Sequence, residues 1–310
     1  MSREKVLALL AKRDRSSLVL SKYVPARSLD GWLALRGVNV ETAKIADTVE
    51  DPKLALTQLE YWREAVTRVQ RISQIELRRY PASLALLGKA IGVDKAAIHQ
   101  RYLITMVQSR ERQVLQPPIN TIEDLAYIGE GTTSQILYAT LDMLQNRESG
   151  TVEFLHEHAE LDEKVSEILA HIGQASGIAQ SLRALSFYVR KRNRLLLPND
   201  VLSQHNLSSQ AAIDVFTKNN DTATDLNALK DVVFDIATAA NDHILTARQK
   251  MQHFRDTVGK TPPSLNLTTM AAIPTVLYLE RLQKNDFDLR RNVTEWKLPW
   301  RSWRGQSGNF

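Results

Sequence analysis

The chain has 310 residues, 43% of them hydrophobic, with 40 Lys and Arg against 35 Asp and Glu for a formal charge of +5 and a pI near 9.3. That length buries a substantial core, while the absence of cysteine excludes disulfides, thiolate metal centres and a cysteine nucleophile. No run approaches the ~20 apolar residues that cross a bilayer, so any membrane attachment is expected to be peripheral.

The stretch through Arg27 is rich in Lys and Arg, poor in acid and amphipathic, as a mitochondrial presequence is. Further on, Asp47, Glu50 and Asp51 raise the question of a metal site, since carboxylates four apart on one helix share a face. The local sequence favours another reading. Asp51 precedes Pro52, which disfavours helical geometry at Asp51 and makes the pair an N-cap followed by a first helical residue. Leu59, Trp62, Val66, Val69 and Ile72 recur at helical spacing and predict one amphipathic helix over Leu54 to Ile75. Similar patterns run over Ile98 to Val114, Ser134 to Leu144, Val165 to Leu185, Leu226 to Phe254 and Ala271 to Leu282. Pro81, Pro117-Pro118, Asn146 to Gly150, Pro198 and Pro262-Pro263 mark the breaks, and Thr121 with Asp124 forms a capping-box pattern. Strand-like alternation is scarce, so an all-α bundle of roughly ten helices is expected. No composition break or internal repeat divides it, so one domain over residues 1–310 is expected, with residues 296–310 a Trp/Arg-rich tail.

Candidate chemistry is sparse. His156 and His158 stand among acids in what reads as a surface loop, and His99, His171, His205, His243 and His253 are isolated, with no nucleophile at a diagnostic spacing. There is no Gly-rich phosphate loop or dinucleotide fingerprint, and no nucleic-acid docking motif or continuous basic face interleaved with aromatics. The basic run Arg190-Lys191-Arg192-Asn193-Arg194 is either a solvated turn or an anion site. In the tail, Trp296, Trp300 and Trp303 interleave with Lys297, Arg301 and Arg304. Such a composition suits the headgroup layer of an anionic bilayer, and equally the folding of terminal aromatics back onto a bundle.

The ordered landmarks carry a family resemblance over nearly the whole chain. Leu33-Ala34-Leu35-Arg36-Gly37-Val38-Asn39-Val40-Glu41, Leu59-Glu60-Tyr61-Trp62-Arg63 and Gly131-Thr132-Thr133-Ser134 are followed by the small-residue segment Gly173, Ala175, Gly177 and Ala179. Leu182-Arg183-Ala184, Leu197-Pro198-Asn199-Asp200, Asp286-Phe287-Asp288 and the Trp300 to Arg304 tail complete the series. Together they resemble the squalene and phytoene synthases, and within that family the mitochondrial complex I assembly factors more than the active enzymes. The resemblance implies an isoprenoid synthase-type helical bundle and a non-catalytic matrix-side protein at the mitochondrial inner membrane. It also makes Lys12-Arg13-Asp14-Arg15 and the Leu-rich segment to Pro25 the opening of the fold, so that the domain is expected to begin almost at Met1 and the presequence-like composition is set aside. The implied partners are complex I assembly intermediates or subunits, with no nucleic acid and no cofactor.

In the active synthases two carboxylate pairs hold Mg²⁺ against a prenyl diphosphate. Counting from Pro198 places one pair on Leu185 and Val189, and the register of Ala34-Leu35-Arg36 places the other on Ala43 and Asp47. Only Asp47 survives, as a vestigial acidic position, and Leu and Val hold no Mg²⁺. The small residues leave room for an isoprenoid or lipid ligand or simply allow close helix packing. For such a ligand Arg183, Arg190, Lys191 and Arg194 are the expected headgroup contacts. Trp296, Trp300, Arg301, Trp303 and Arg304 are the expected membrane contacts. The alternative is an active head-to-head prenyl transferase using Mg²⁺ and prenyl diphosphates, which requires acids such as Glu41 or Asp51 to join Asp47.

Overall fold

The computed structural model describes residues 2–310 other than 74, 116, 147–158, 218–222, 260, 291–296 and 307–309. His156, His158 and Trp296 therefore lie outside the described residues. In chain order the helices are α1 Ser2–Arg13, α2 Arg15–Leu20, α3 Leu29–Thr48, α4 Pro52–Arg68, α5 Ala82–Gly92, α6 Gln100–Val114, α7 Ile122–Gly129 and α8 Gln135–Gln145. There follow α9 Ala159–Arg192, α10 Asn199–Gln204, α11 Ser209–Thr217, α12 Ala223–Val258, α13 Pro263–Thr269, α14 Ile273–Lys284 and α15 Leu298–Gly305. No strand occurs among the described residues, so the all-α expectation holds.

Helix ends follow local chemistry. Asp51 is extended (φ −75°, ψ 115°), its side chain accepts from the Lys53 N–H at 2.9 Å, and Pro52 opens α4, so Asp51 caps one helix while Asp47 stands near the end of another. Thr121 and Asp124 form a full capping box at α7. The helix expected to reach Ile75 stops sooner. At Val69 the backbone tightens into a 3₁₀ turn, Ile72 turns extended (φ −80°, ψ 129°), and Ile75 is 78% exposed. Apolar spacing continued beyond the point where the chain left the helix.

Two hydrophobic clusters make the core, and α9 belongs to both. Its first part, through Ala175, packs with α1, α3 to α6, α8 and the later part of α12; the stretch from Ile178 to Val189 packs with Leu125, α10, α11 and the early part of α12. Every residue of α3 from Asp30 to Val38 is buried, as expected of a helix surrounded on all sides. Its one acid there, Asp30, is paired with Arg3 of α1 and Lys89 of α5 at 2.5 and 2.6 Å.

Close packing, the blander reading of the small residues, is what the structure adopts at two of them. A Cβ on Gly173 would stand 2.6 Å from the Ser134 backbone nitrogen, and one on Gly177 would stand 2.7 Å from that of Gly129. The backbone of α9 thus lies directly on the α7–α8 junction. That junction, Glu130–Ser134, is a π-turn, an arrangement that opens the ladder and turns side chains off the regular spacing.

The tail forms α15 and folds back. Leu298, Ser302 and Gly305 are buried, Arg301 bonds Glu280 at 2.8 Å, and the Tyr23 hydroxyl donates to the Pro299 carbonyl at 2.8 Å. Its tryptophans do not follow. Trp300 and Trp303 are 54% and 65% exposed, because the helix buries its Leu298 and Ser302 side and presents the indoles outward.

Candidate functional site

Two neighbouring cavities lie where α3, α6, the π-turn and α9 meet. The larger, about 290 Å³, is walled by Ala46, Pro117, Pro118, Ile119, Leu125, Ile128, Ala184 and Leu196, with Arg110, Gln113, Tyr188 and Arg194 among its polar lining. The smaller, about 120 Å³, is lined by Arg36 and Asn39 of α3, Thr133 of the π-turn, Ser176, Gln180 and Arg183 of α9, and Asp14, Ser16 and Ser17 around the start of α2. Successive π-turn residues serve both: Thr132 lines the larger and Thr133 the smaller. Gln180 borders each, and Asn39 of the smaller accepts a hydrogen bond from Arg110 of the larger at 3.3 Å.

The face that α9 turns to the larger cavity carries Gly177, Ser181, Ala184 and Tyr188. This corrects the counted register. Leu185 and Val189 are buried at 0% and 2% exposure in the second hydrophobic cluster, one position round from the cavity face. One residue of register turns a helical side chain by about 100°, so a count from Pro198 chose packed residues over cavity residues.

Asp47 is occupied by protein partners. The Tyr188 hydroxyl donates to its carboxylate, and Arg192 donates to its backbone carbonyl while also pairing with Glu50 at 3.0 Å. Burial, and then the adjacent Asp47, push the Tyr188 pKa up, so the phenol stays protonated and keeps donating. Glu41 is engaged elsewhere, accepting from Ser83 at 2.9 Å, and Asp51 caps α4. No group of three or more His, Cys, Asp or Glu side chains able to hold a metal converges among the described residues. The donor set does not fit the magnesium cluster of a prenyl synthase.

The cavity chemistry is cationic instead. Arg110 has its Nε without a hydrogen-bond partner and its Nη1 on Gln113 at 3.2 Å, and the Gln113 Nε2 is likewise unpartnered. Burial lowers the pKa of both Arg110 and Arg194. Of the four expected headgroup contacts, Arg194 lines the larger cavity and Arg183 the smaller, whereas Arg190 and Lys191 are exposed and line neither. The structure does not gather them into one site. Arg36, Arg110 and Tyr188 were missed as cavity residues. Arg36 gave one signal, a charge inside the otherwise apolar run Trp32 to Val38.

The histidines read as isolated are not all so. His171 of α9 and His243 of α12 meet with their Nδ1 atoms 3.0 Å apart, and His205 bonds Asp235 at 2.6 Å. No helix among the described residues is long and apolar enough to cross a membrane.

Comparison with known proteins supplies a context for this geometry. Residues 10–304 match the squalene/phytoene synthase family model. The chain is 29% identical over 283 residues to "NADH dehydrogenase (ubiquinone) complex I, assembly factor 6" of Rattus norvegicus, covering 91% of this chain and 74% of that one. The protein of the same name from Bos taurus is 30% identical over the same shares. A crystal structure of a dehydrosqualene synthase in complex with ligand superposes with a TM-score of 0.66, covering 99% of this chain and 95% of the other, at 10% identity. At that identity the likeness is one of fold.

Proposed function

We propose that the chain, which belongs to the squalene/phytoene synthase family and yet gathers no metal-holding carboxylate cluster among its described residues, is a non-catalytic assembly factor for mitochondrial respiratory complex I. The observation that carries this is the Tyr188 hydroxyl on Asp47. Ionising a prenyl diphosphate requires Mg²⁺ ions clamped on converging carboxylates, and here the surviving acid faces a phenol. The similarity to assembly factor 6 proteins over 91% of the chain supports the biological role.

On this reading the protein works on the matrix side of the inner membrane, where it contacts complex I subunits or intermediates. Exposed Trp300 and Trp303 on α15, with Arg304 stacked 5.0 Å from the Trp300 ring, form an amphipathic face suited to an anionic headgroup layer. Arg301 is turned to Glu280 and supports the helix more than the contact.

A native gel of respiratory complexes, stained for NADH dehydrogenase activity, tests the proposal in cells with and without the chain. Selective loss of the NADH dehydrogenase band is expected. An unchanged band, together with pyrophosphate release from farnesyl or geranylgeranyl diphosphate by the purified protein, would replace the proposal with prenyl transfer.

A further inference from the structure

The helices α9 and α12, of 34 and 36 residues, lie side by side and carry a polar seam between them. Lys164 stands 3.5 Å from the His253 ring, Glu167 pairs with Lys250 at 2.7 Å, and the Nδ1 atoms of His171 and His243 stand 3.0 Å apart. Steps of three and four on α9 against three and seven on α12 keep one face of each helix turned to the other. Beneath the seam Ile168, Ile172, Ile244 and Ala247 are buried in the core, so the backbones that carry the two imidazoles are fixed.

Two imidazole nitrogens this close share a hydrogen, one donating and one accepting, or turn both lone pairs to one cation. With metal–nitrogen bonds of about 2.0–2.1 Å, two such nitrogens on one ion lie about 2.9 Å apart at a right angle and about 3.3 Å at the tetrahedral angle. The observed 3.0 Å falls between these. The rings are tilted by 40° with centroids 5.3 Å apart, so rotation about each Cβ–Cγ bond, a soft torsion, brings the lone pairs to a common point without moving a helix. Both rings are half-buried and held below the ordinary histidine pKa, chiefly by desolvation, which leaves them neutral at neutral pH. The charges acting on the pair are Glu123, Glu130, Glu167 and Asp242 against Lys250, a field that favours a cation.

We propose that His171 and His243 bind a divalent transition metal, Zn²⁺, Ni²⁺ or Cu²⁺, through their Nδ1 atoms, with water in the remaining positions. Imidazole suits these ions, whereas Mg²⁺ prefers oxygen, so the site differs in its ligand chemistry from the carboxylate cluster of a prenyl synthase. On binding, the ring that carries its hydrogen on Nδ1 releases it to solvent and takes one on Nε2, so both rings stay neutral and no net proton is lost. Glu130 acts on both rings and accepts from Gln174 at 2.6 Å, which holds its negative charge beside the cation. The metal would cross-link α9 to α12 across 72 positions of sequence. This site goes beyond the assembly role and does not depend on it, because it follows from the facing imidazoles.

The test is calorimetric titration of the full untagged chain, stripped with EDTA and desalted, with ZnCl₂ at about pH 7.5 and ~10 mM MgCl₂ present. One equivalent of Zn²⁺ is expected to bind at micromolar affinity and to raise Tm. His171→Gln and His243→Gln should each lower the affinity by an order of magnitude or more. The double variant His156→Gln with His158→Gln, which removes the histidines that are closest in sequence, should keep it. Electron paramagnetic resonance with one equivalent of Cu²⁺, on wild type and on the double variant, carries the test should the single variants fail to fold, and hyperfine splitting from two imidazole nitrogens is expected in both. Absent Zn²⁺ binding, binding unchanged in both single variants, binding abolished in the double variant, or a copper spectrum with fewer than two nitrogens would each overturn the proposal.

Discussion

Tyr188 on α9 donates its phenolic hydrogen to the Asp47 carboxylate on α3, across 141 positions of sequence. That contact ties the end of the central helix to the wall of the larger cavity. Tyr188→Phe removes the donor and leaves the carboxylate short of a partner, at a cost of about 1–2 kcal/mol. Urea unfolding measures it, and Asp47→Asn should cost less, because its amide oxygen still accepts. An unaltered midpoint in Tyr188→Phe would mean that the bond is energetically idle.

Gly173→Ala forces a Cβ into the Ser134 backbone. A crossing of backbone on backbone has no flexible side chain to yield, so the variant should lose about 1–3 kcal/mol or more. Gly259→Ala is the contrasting case. It has φ +78° and nothing within 4 Å of the added carbon, so its loss of about 1–2 kcal/mol comes from the left-handed backbone alone. Comparable small losses at both positions would refute the close crossing.

His171 and His243 are both held below the ordinary histidine pKa, chiefly by desolvation, with His171 further disfavoured by His243. Glu130, Glu167, Asp242 and Lys250 modulate the pair without reversing the direction. The unfolded chain therefore binds more protons below about pH 6.5. The resulting penalty is absent above that pH, grows as pH falls through it, and levels off below the folded-state values. His243→Gln should flatten the slope of Tm against pH between about 7 and 5. A slope identical to wild type would place the proton uptake elsewhere.

Asp30 has the opposite dependence. Burial raises its pKa, but the hydrogen bonds from Arg3 and Lys89 outweigh that and hold it below 3.8. Its stabilisation is present above the unfolded value and is lost as pH falls through the folded one. Arg3 and Lys89 are 48% and 44% exposed, so solvent absorbs part of their loss. Asp30→Asn should cost about 1–3 kcal/mol at neutral pH, with the difference from wild type shrinking under acid. A constant difference down to the lowest pH would contradict this.

Trp300→Ala with Trp303→Ala should reduce cosedimentation with cardiolipin-containing vesicles while leaving Tm within a degree or two, since both indoles are exposed. A large fall in Tm would show that the indoles serve the fold, and unchanged sedimentation would remove α15 as a membrane contact.

Some of this protein was legible before any coordinates. Asp51-Pro52 and Thr121 to Asp124 declare helix starts because capping is settled within four residues. The helices α6 and α9 show in the spacing over Ile98 to Val114 and Val165 to Leu185, since the period of an amphipathic face is local, although α9 begins earlier, at Ala159. Where α4 ends was not legible, because apolar residues kept the period past Arg68 while the chain turned away.

By itself the sequence determined that the chain is helical and that cysteine chemistry is absent, because these depend on residue identity and near-neighbour spacing. Tertiary structure alone decided that Arg36 is buried with its Nε and Nη2 lacking hydrogen-bond partners, that Arg183 and Arg194 enter different cavities, and that His171 meets His243 across 72 positions. It also chose Ala184 and Tyr188 over Leu185 and Val189 as the cavity face. The reason is geometric: a helical side chain swings about 100° per residue, so which partner it meets is set by how the helices dock, which is a property of the packed whole.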